Sequence, residues 1–354
     1  MALYVDIEKH YGAFYLKLTL ETGNETLALL GASGCGKSLT LKCIAGIIKP
    51  DRGRIVVDDT VVFDSQRGID LPPQKRQVGL MFQNYALFPN MTVKQNIAAG
   101  ARNGKTRKEG MKLTEAALSR FGLTELAQHY PHQLSGGQQQ RTALARMLVS
   151  QPKVVLLDEP FSALDSHLRF QLERQVRQIL REFGRSVVLV SHDRDEVFRM
   201  ADKAAILNQG SLDAVGTVQQ VFQNPQTRAG AMLTGCKNLS AAQGAGPGKI
   251  LALDWGLTLE VPAAAPDAQV VGIRMHHIRQ GSGPNQVRCQ VVEEIENPFS
   301  YTVFLKPVEA PASTALGWEL DKALWQQRRC RELTVCLPPE HLLLLREGPT
   351  QTKK

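Results

Sequence analysis

The sequence is organised around the stretch Gly31-Ala32-Ser33-Gly34-Cys35-Gly36-Lys37-Ser38. It satisfies the pattern GxxxxGK[ST] of a phosphate-binding loop, in which glycines let backbone amides point inward at phosphate oxygens. An apolar run over residues 26–30 precedes the loop, and a helix-like run over residues 37–48 follows it. The N-terminus of that helix adds a positive end. All eight residues are therefore candidate nucleotide contacts, with Lys37 reaching the β- and γ-phosphates and Ser38 binding Mg²⁺.

Two carboxylates follow another apolar run of the chain. Residues 154–157 are all apolar, and Asp158 and Glu159 come directly after them. In an open parallel sheet, ligands lie at the carboxyl ends of the strands, so Asp158 is expected beside the phosphate-binding loop. There it can hold Mg²⁺ directly or through water. Glu159 is then placed to orient or deprotonate an attacking water.

The pattern of apolar runs over residues 3–238 predicts an α/β domain that contains parallel strands. Runs 26–30, 154–157 and 186–190 are nearly all apolar, as expected for strands that helices cover on both faces. Between the second and third runs, apolar residues recur at helical spacing. This arrangement predicts a strand-helix-strand crossover. The recurring residues are Leu168, Leu172, Val176, Ile179, Leu180 and Phe183.

A second glycine-rich stretch, Leu134-Ser135-Gly136-Gly137-Gln138, precedes a helical run over residues 142–150. Glycines and a serine at a helix N-terminus make an anion site from backbone amides, the helix dipole and one hydroxyl. One nucleotide needs only one phosphate cradle. Within a single subunit, the residues alone therefore assign no ligand to the second anion site, at residues 134–138.

Over residues 3–235 the ordered motifs resemble those of the ATP-binding cassette ATPases, whose signature motif is LSGGQ. The resemblance implies a P-loop NTPase fold, with a RecA-like core and a helical signature subdomain. It also implies a head-to-tail homodimer, in which the signature of one subunit caps ATP held by the loop of the other. The signature contacts so implied are Ser135, Gly136, Gly137 and Gln138.

The resemblance assigns further roles, motif by motif. Gln83 matches the Q-loop glutamine that approaches Mg²⁺ and the attacking water, and Asp165 matches the D-loop residue that communicates across the dimer. His192 matches the switch histidine that contacts the γ-phosphate. Tyr11 matches the aromatic residue that stacks on adenine, and Phe14 competes for that role. The catalytic candidates are therefore Lys37, Gln83, Glu159 and His192, and the candidate magnesium ligands are Ser38, Gln83 and Asp158.

The composition changes after residue 238. Residues 239–249 are predicted to be a linker, because small residues, glycine and proline replace the apolar periodicity. Residues 250–354 contain short β-like runs at 269–274, 287–292 and 301–305, which predict a small β-rich barrel or sandwich. This tail resembles the TOBE/MOP-like domains appended to importer ATPases, some of which bind an oxyanion and restrain transport. Arg274, His276 and His277 are either ligand contacts or, as we favour, ordinary strand and turn residues.

Residues 84–93 resemble the region of bacterial importer ATPases that receives a coupling helix from a separate membrane subunit. Tyr85, Leu87, Phe88 and Met91 either line such a groove or pack inside the helical subdomain. The resemblance implies an ATP-hydrolysing import subunit at the cytoplasmic face of the membrane, with a permease and, indirectly, an external solute-binding protein. Residues 272–278 look most like the molybdate and sulfate group, so molybdate (or sulfate or tungstate) is the expected solute. Iron(III), a polyamine or a sugar is the alternative.

Length, composition and charge exclude several other classes of protein. The 354 residues, 43% of them hydrophobic, predict about two domains and exclude a wholly disordered or fibrous chain. No apolar run approaches the roughly 20 residues that cross a bilayer, no signal-peptide pattern opens the chain, and six scattered cysteines are expected to be reduced. The net charge of +8 is spread rather than massed, which argues against a nucleic-acid partner. A ribosome- or DNA-acting cassette ATPase and an exporter ATPase remain as minor alternatives.

Overall fold

The computed structural model describes residues 2–101, 106–162, 166–262 and 267–348, and it divides into two compact units, Met1–Val218 and Gln219–Lys354. The strands of the first unit are β1 (Leu3–Tyr11), β2 (Phe14–Thr22), β3 (Thr26–Leu30), β4 (Arg52–Val57), β5 (Thr60–Asp64), β6 (Ile69–Asp70), β7 (Val78–Met81), β8 (Val154–Asp158), β9 (Ser186–Ser191), β10 (Lys203–Asn208) and β11 (Ser211–Thr217). Its helices are α1 (Lys37–Ala45), α2 (Val93–Gly100), α3 (Arg107–Arg120), α4 (Gly136–Leu148), α5 (Ser166–Phe183) and α6 (Arg194–Met200).

The strands of the first unit form a single sheet in the order β6-β5-β4-β1-β2-β11-β10-β3-β9-β8-β7. Neighbouring strands from β10 to β7 run parallel, and β8 and β9 are buried along their whole length. The three strands predicted from apolar runs are β3, β8 and β9, which confirms them. Because α5 connects β8 to the adjacent parallel strand β9, the predicted crossover is also confirmed.

Strands β2, β1, β4, β5 and β6, at the other end of this sheet, are paired antiparallel. Strand β1 lies between β2 and β4, and β4, β5 and β6 continue the antiparallel order. Alternate residues of β1 are buried, beginning with Leu3, Val5 and Ile7, so one face of these strands closes on the core and the other faces water. The buried face joins the apolar residues of α1 and the parallel strands in one continuous core.

Helices α2, α3 and α4 pack together as a helical segment between β7 and β8. Each begins with a capping box, in which a hydroxyl and a carboxamide or carboxylate bond the first free amides. The three N-cap residues are Thr92, Thr106 and Ser135. The predicted helical signature subdomain is present, with the signature at the start of α4. Among the helices that the structure describes, none has the length and apolar character to cross a bilayer.

The second unit is rich in β-structure, as predicted. Its helices are α7 (Val218–Gln223, beginning at the last residue of the first unit), α8 (Arg228–Leu233) and α9 (Lys322–Arg328). Its strands are β12 (Asn238–Gly244), β13 (Lys249–Ala252), β14 (Leu257–Glu260), β15 (Val270–Ile273), β16 (Arg279–Gln280), β17 (Gln286–Glu296), β18 (Ser300–Pro307), β19 (Leu316–Asp321), β20 (Glu332–Cys336) and β21 (Leu342–Leu345).

These strands form two sheets, β14-β13-β12-β15-β21 and β16-β20-β17-β18-β19. Three tryptophans, Trp255, Trp318 and Trp325, lie in their shared apolar core. The predicted runs at 269–274, 287–292 and 301–305 correspond to β15, β17 and β18. Residues 239–249, where the composition predicted a linker, instead contribute most of β12 and the turn into β13. Small side chains do not prevent backbone pairing, so composition alone misses such a strand.

Candidate nucleotide-binding site

The phosphate-binding loop connects β3 to α1. Gly34 and Gly36 have φ angles of 79° and 106°, in the left-handed region where a side chain is strained. A Cβ on Gly36 would also lie 2.9 Å from a methyl of Leu16. The loop therefore depends on glycine at this position, which turns the chain directly into the first residue of the helix, Lys37.

The side chain of Lys37 is buried within the loop. Its ammonium donates hydrogen bonds to the carbonyl oxygens of Gly31 (2.7 Å) and Ala32 (2.9 Å). A buried cation beside the first amides of a helix is a binding environment for phosphate. Cys35 is buried next to it, and burial raises the pKa of its thiol, so this side chain adds no negative charge.

Ser38 and Asp158 meet beside the loop, as the sequence predicted. The Ser38 hydroxyl donates to Oδ1 of Asp158 at 2.8 Å, and Asp158 is 8% exposed. Burial raises the pKa of Asp158, the bond from Ser38 lowers it, and neighbouring Glu159 raises it further. A cation at this point would stabilise the ionised carboxylate, so the residues fit a magnesium ion.

No group of three or more His, Cys, Asp or Glu side chains in the described part of the chain could enclose a metal ion unaided. This agrees with the way Mg²⁺ is bound in phosphate sites, where one or two protein oxygens act together with the phosphates and water.

Glu159 lies between two of the other predicted catalytic side chains, His192 and Gln83. Its Oε1 is 3.1 Å from Nδ1 of His192, and its Oε2 accepts a hydrogen bond of 3.4 Å from Nε2 of Gln83. The amide of Glu159 donates to Val190 of β9, and its φ of 45° is unusual for a residue with a side chain. Such a backbone conformation is held by its surroundings and is common at functional sites.

The turn after Gln83 is supported by a residue that the sequence analysis did not select. Tyr85 and Ala86 have φ angles of 59° and 43°, and their carbonyl oxygens accept hydrogen bonds of 2.9 and 2.8 Å from the guanidinium of Arg146 on α4. An arginine in the otherwise apolar last turn of α4 is the only sequence signal for it. The helix that starts at the signature thus ends at the Q-loop.

The signature lies at the N-terminus of α4, as predicted. Ser135 is the N-cap, its amide donates to Oε1 of Gln138 at 2.8 Å, and Ser135 and Gly136 are exposed. Gly137 is buried against Leu172. None of the hydrogen bonds within the described ranges joins the signature to the phosphate-binding loop of the same chain. Asp165 lies outside the described residues.

The two aromatic candidates for adenine differ in their environment. Tyr11, at the end of β1, is 60% exposed. Phe14 packs against the core, and its ring lies close to the Cα positions of Gly36 and Gly210. Tyr11 therefore has a free ring face and Phe14 is largely committed to packing.

The residues that resemble a coupling groove are split between core and surface. Tyr85 is buried, and its hydroxyl lies 3.4 Å from the carbonyl oxygen of Pro160, whereas Phe88 is 45% exposed. Leu87 and Met91 are half-buried. Tyr85 therefore packs inside the helical subdomain, whereas the ring of Phe88 forms an apolar patch on the surface.

Two of the candidate ligand contacts of the second unit, Arg274 and His277, contact other protein groups. The guanidinium of Arg274 donates to the carbonyl oxygen of Thr234 at 2.6 Å and to that of Phe222. His277 stacks on His341 with ring centroids 4.0 Å apart, and burial, with nearby positive charges, lowers the pKa of His277 to about 4. A neutral His277 offers no charge to an oxyanion at pH 7. The ring of His276 approaches that of His277 edge to face, with the ring centroids 4.3 Å apart.

A phosphate-binding loop between β3 and α1, beside the carboxylates that end β8, defines a P-loop NTPase fold. The family model described as ABC transporter matches residues 15–162. The chain is 46% identical over 211 residues to the Fe(3+) ions import ATP-binding protein FbpC of Haemophilus influenzae, and the match covers 59% of each protein. This chain therefore matches less than two thirds of the length of FbpC.

The chain is also 40% identical over 238 residues to the spermidine/putrescine import ATP-binding protein PotA of Bacillus cereus, covering 66% of this chain and 71% of PotA. Among solved structures, a dimeric post-hydrolysis state of the ATP-binding cassette MJ0796 bound to ADP and Pi is 27% identical, with a TM-score of 0.52. That match covers 62% of this chain and 99% of MJ0796. The chain belongs to the ABC transporter family.

Proposed function

We propose that this chain hydrolyses ATP and thereby drives an ABC import system. The observation that carries the proposal is the position of Glu159, whose two carboxylate oxygens face His192 and Gln83 at the strand end that also places Asp158 beside Ser38. The residues that we propose as the general base, as the two polar groups that orient it and as the magnesium-binding pair thus lie at one sheet edge, next to the phosphate-binding loop.

In this proposal the loop amides, residues 31–38, and the Lys37 ammonium bind the phosphates of ATP. Ser38, Asp158 and Gln83 would hold Mg²⁺, which would neutralise charge on the phosphates. Glu159 accepts the proton of the attacking water, and His192 orients Glu159 and contacts the γ-phosphate. Positioning and charge stabilisation supply most of the rate, as is general for phosphoryl transfer.

The test is the ATPase activity of the purified chain and of Glu159→Gln. The substitution keeps the size of the side chain and removes its basicity, so kcat should fall about 10²- to 10⁴-fold while ATP still binds. Glu125→Gln, an exposed carboxylate of the same unit, is the matched control and should retain full activity. Equal activity in Glu159→Gln and the control would exclude Glu159 as the base.

We further propose that two copies pair head to tail, so that Ser135, Gly136, Gly137 and Gln138 of one copy, with Asp165, complete the ATP site of the other. The exposure of Ser135 and Gly136 supports this, since an exposed helix N-terminus can receive a phosphate that a second chain holds. The dimeric state of MJ0796 with ADP and Pi supports the same arrangement.

The proposed partner in the membrane is a separate permease, with an external solute-binding protein acting through it. This chain would then lie at the cytoplasmic face of the membrane. The exposed ring of Phe88, beside the Q-loop turn, supports a docking site for an apolar permease segment. Phe88→Ala should reduce copurification with the permease and leave the ATP affinity of the isolated chain unchanged.

The names of the relatives bear on the solute. FbpC is named for Fe(3+) ions and PotA for spermidine and putrescine, so both support the iron(III) or polyamine alternative. They give no support to molybdate, which was the main expectation from the sequence. We therefore propose iron(III) or a polyamine as the solute. Uptake by cells that carry or lack this gene, with labelled iron(III), putrescine and molybdate, separates the three.

A further inference from the structure

A buried carboxyl group, that of Glu196, is hydrogen-bonded to the residue that precedes His192. Glu196, on α6, is 4% exposed, and its Oε2 accepts a hydrogen bond of 2.9 Å from the hydroxyl of Ser191. Ser191 is the last residue of β9 and precedes His192. The same hydroxyl accepts a hydrogen bond of 3.0 Å from the amide of Asp193. One hydroxyl thus links Glu196 to the chain on both sides of His192.

The two arginines nearest to Glu196 in the described part of the chain bond other carboxylates, although the charge of Arg169 still favours an ionised Glu196. Arg199, on the same helix, is engaged by Glu173 of α5 in two hydrogen bonds of 2.6 and 3.1 Å. Arg169 of α5 lies 3.2 Å from Asp193. Both arginines therefore face other carboxylates, and Glu173 and Asp193 add negative charge near Glu196.

The environment of the second carboxyl oxygen of Glu196 favours the neutral form of the side chain. Oε1 is buried and has no hydrogen-bond partner among the residues that the structure describes. An ionised carboxylate would leave a buried charge uncompensated at this point, whereas a protonated one leaves only a neutral group. Burial raises the pKa of Glu196 to about 8, the Ser191 hydroxyl and the charge of Arg169 oppose the rise, and Glu173 and Asp193 add to it.

We propose that Glu196 is a positioning residue for His192, and that its neutral carboxyl holds the turn Ser191–His192–Asp193 so that the imidazole faces Glu159. Ionisation of Glu196 places an unpaired charge in the core, and its relief requires the side chain to leave or water to enter. Either movement releases Ser191 and with it the turn. The proposal rests on the proposed ATPase function, in which His192 acts on Glu159 and the γ-phosphate.

The first arm of the test needs no activity. In the full chain labelled with ¹³C-histidine, the His192 signal is assigned by its loss in His192→Gln. Between pH 6.5 and 9.5 this signal should shift with a midpoint near pH 8 in the wild type and should not do so in Glu196→Gln. The matched control is Asp195→Asn, since Asp195 is an exposed neighbour on the same helix. It should titrate as the wild type does.

The second arm measures ATP hydrolysis over the same range. The kcat of the wild type should be about tenfold lower at pH 9 than at pH 7, with KM for ATP nearly constant, because one group with a pKa near 8 is about nine-tenths ionised at pH 9. Glu196→Gln should keep most of the neutral-pH kcat and lose this decline. A merely structural role would lower activity at every pH instead.

The outcomes separate the two proposals. If the His192 signal follows the pH equally in wild type and Glu196→Gln, the positioning role is wrong, whether or not the chain hydrolyses ATP. If the signal behaves as expected but no variant hydrolyses ATP, even with its permease, the link between Glu196 and His192 stands and the proposed function fails. Should Glu196→Gln not fold, Ser191→Ala must abolish the titration of the His192 signal, and a titration that persists in it contradicts the proposal.

Discussion

The hydroxyl of Ser38 donates a 2.8 Å hydrogen bond to the carboxylate of Asp158, across 120 residues of sequence. One residue belongs to the first turn of α1 and the other ends β8, so the bond joins the phosphate-binding loop to the edge that holds Glu159. Two oxygen ligands at this distance, one of them a buried carboxylate, fit the proposed magnesium site.

Asp158→Asn should therefore weaken magnesium binding. The amide keeps the shape and a hydrogen bond with Ser38 but removes the negative charge that attracts the cation. We expect the Mg²⁺ concentration for half-maximal ATPase activity to rise about 10- to 100-fold. Titration of activity with Mg²⁺ at saturating ATP measures this, with Asp195→Asn as the charge-matched control. An unchanged Mg²⁺ requirement would argue against Asp158 as a ligand.

Arg146→Ala should destabilise the first unit and slow ATP hydrolysis. The change leaves the carbonyl oxygens of Tyr85 and Ala86 without their donor in a turn with two positive φ angles. We expect a loss of about 2–4 kcal/mol in the free energy of unfolding, measured by urea denaturation. Arg146→Lys keeps the charge but cannot reach both carbonyls, so it should recover only part of the loss. A change in the free energy of unfolding below about 0.5 kcal/mol would mean that the turn is stable without the hydrogen bonds from Arg146.

The strands of the parallel core could be predicted from the sequence because a buried parallel strand is an unbroken apolar run, as in 154–157 and 186–190. Motif residues such as Lys37 and Glu159 could also be placed, since a phosphate-binding loop and a strand end fix their positions. The contacts of Arg146 could not, because they join residues that are 60 and 61 positions apart in sequence. The bond between Ser191 and Glu196 is local, but it depends on the conformation of the turn between them, which no motif predicts. Strand β12 escaped prediction because its composition is small and polar and its pairing is non-local.

Tyr11→Ala should raise the KM for ATP about tenfold with little effect on kcat, because stacking on a base is worth about 1–3 kcal/mol and the ring is free. Tyr11→Phe should restore the wild-type KM, as the stacking face is kept. Phe14→Leu serves as the comparison, since Phe14 packs near Gly36 and should alter stability more than KM. The reverse pattern, with KM moved by Phe14→Leu only, would assign adenine stacking to Phe14.

The second unit should lose stability as the pH falls from about 6.5 toward 4. The folded state lowers the pKa of His277 from 6.5 to about 4, so in this window the unfolded chain binds a proton that the folded chain does not. The contribution is present above pH 6.5 and is lost as the pH drops. His277→Gln should therefore show a smaller fall in melting temperature between pH 7 and 5 than the wild type. The exposed His132→Gln is the control, and an identical fall in His277→Gln would contradict the assignment.

The proposed pairing of two cassettes is tested most directly by the mass in solution of Glu159→Gln with magnesium and ATP. Because this variant holds ATP without cleaving it, we expect light scattering to report twice the 39.0 kDa of one chain, and a single chain when ATP is replaced by ADP. The double variant Ser135→Arg, Glu159→Gln should bind ATP and remain monomeric. A mass of one chain for ATP-bound Glu159→Gln, alone and beside its permease, would contradict the account.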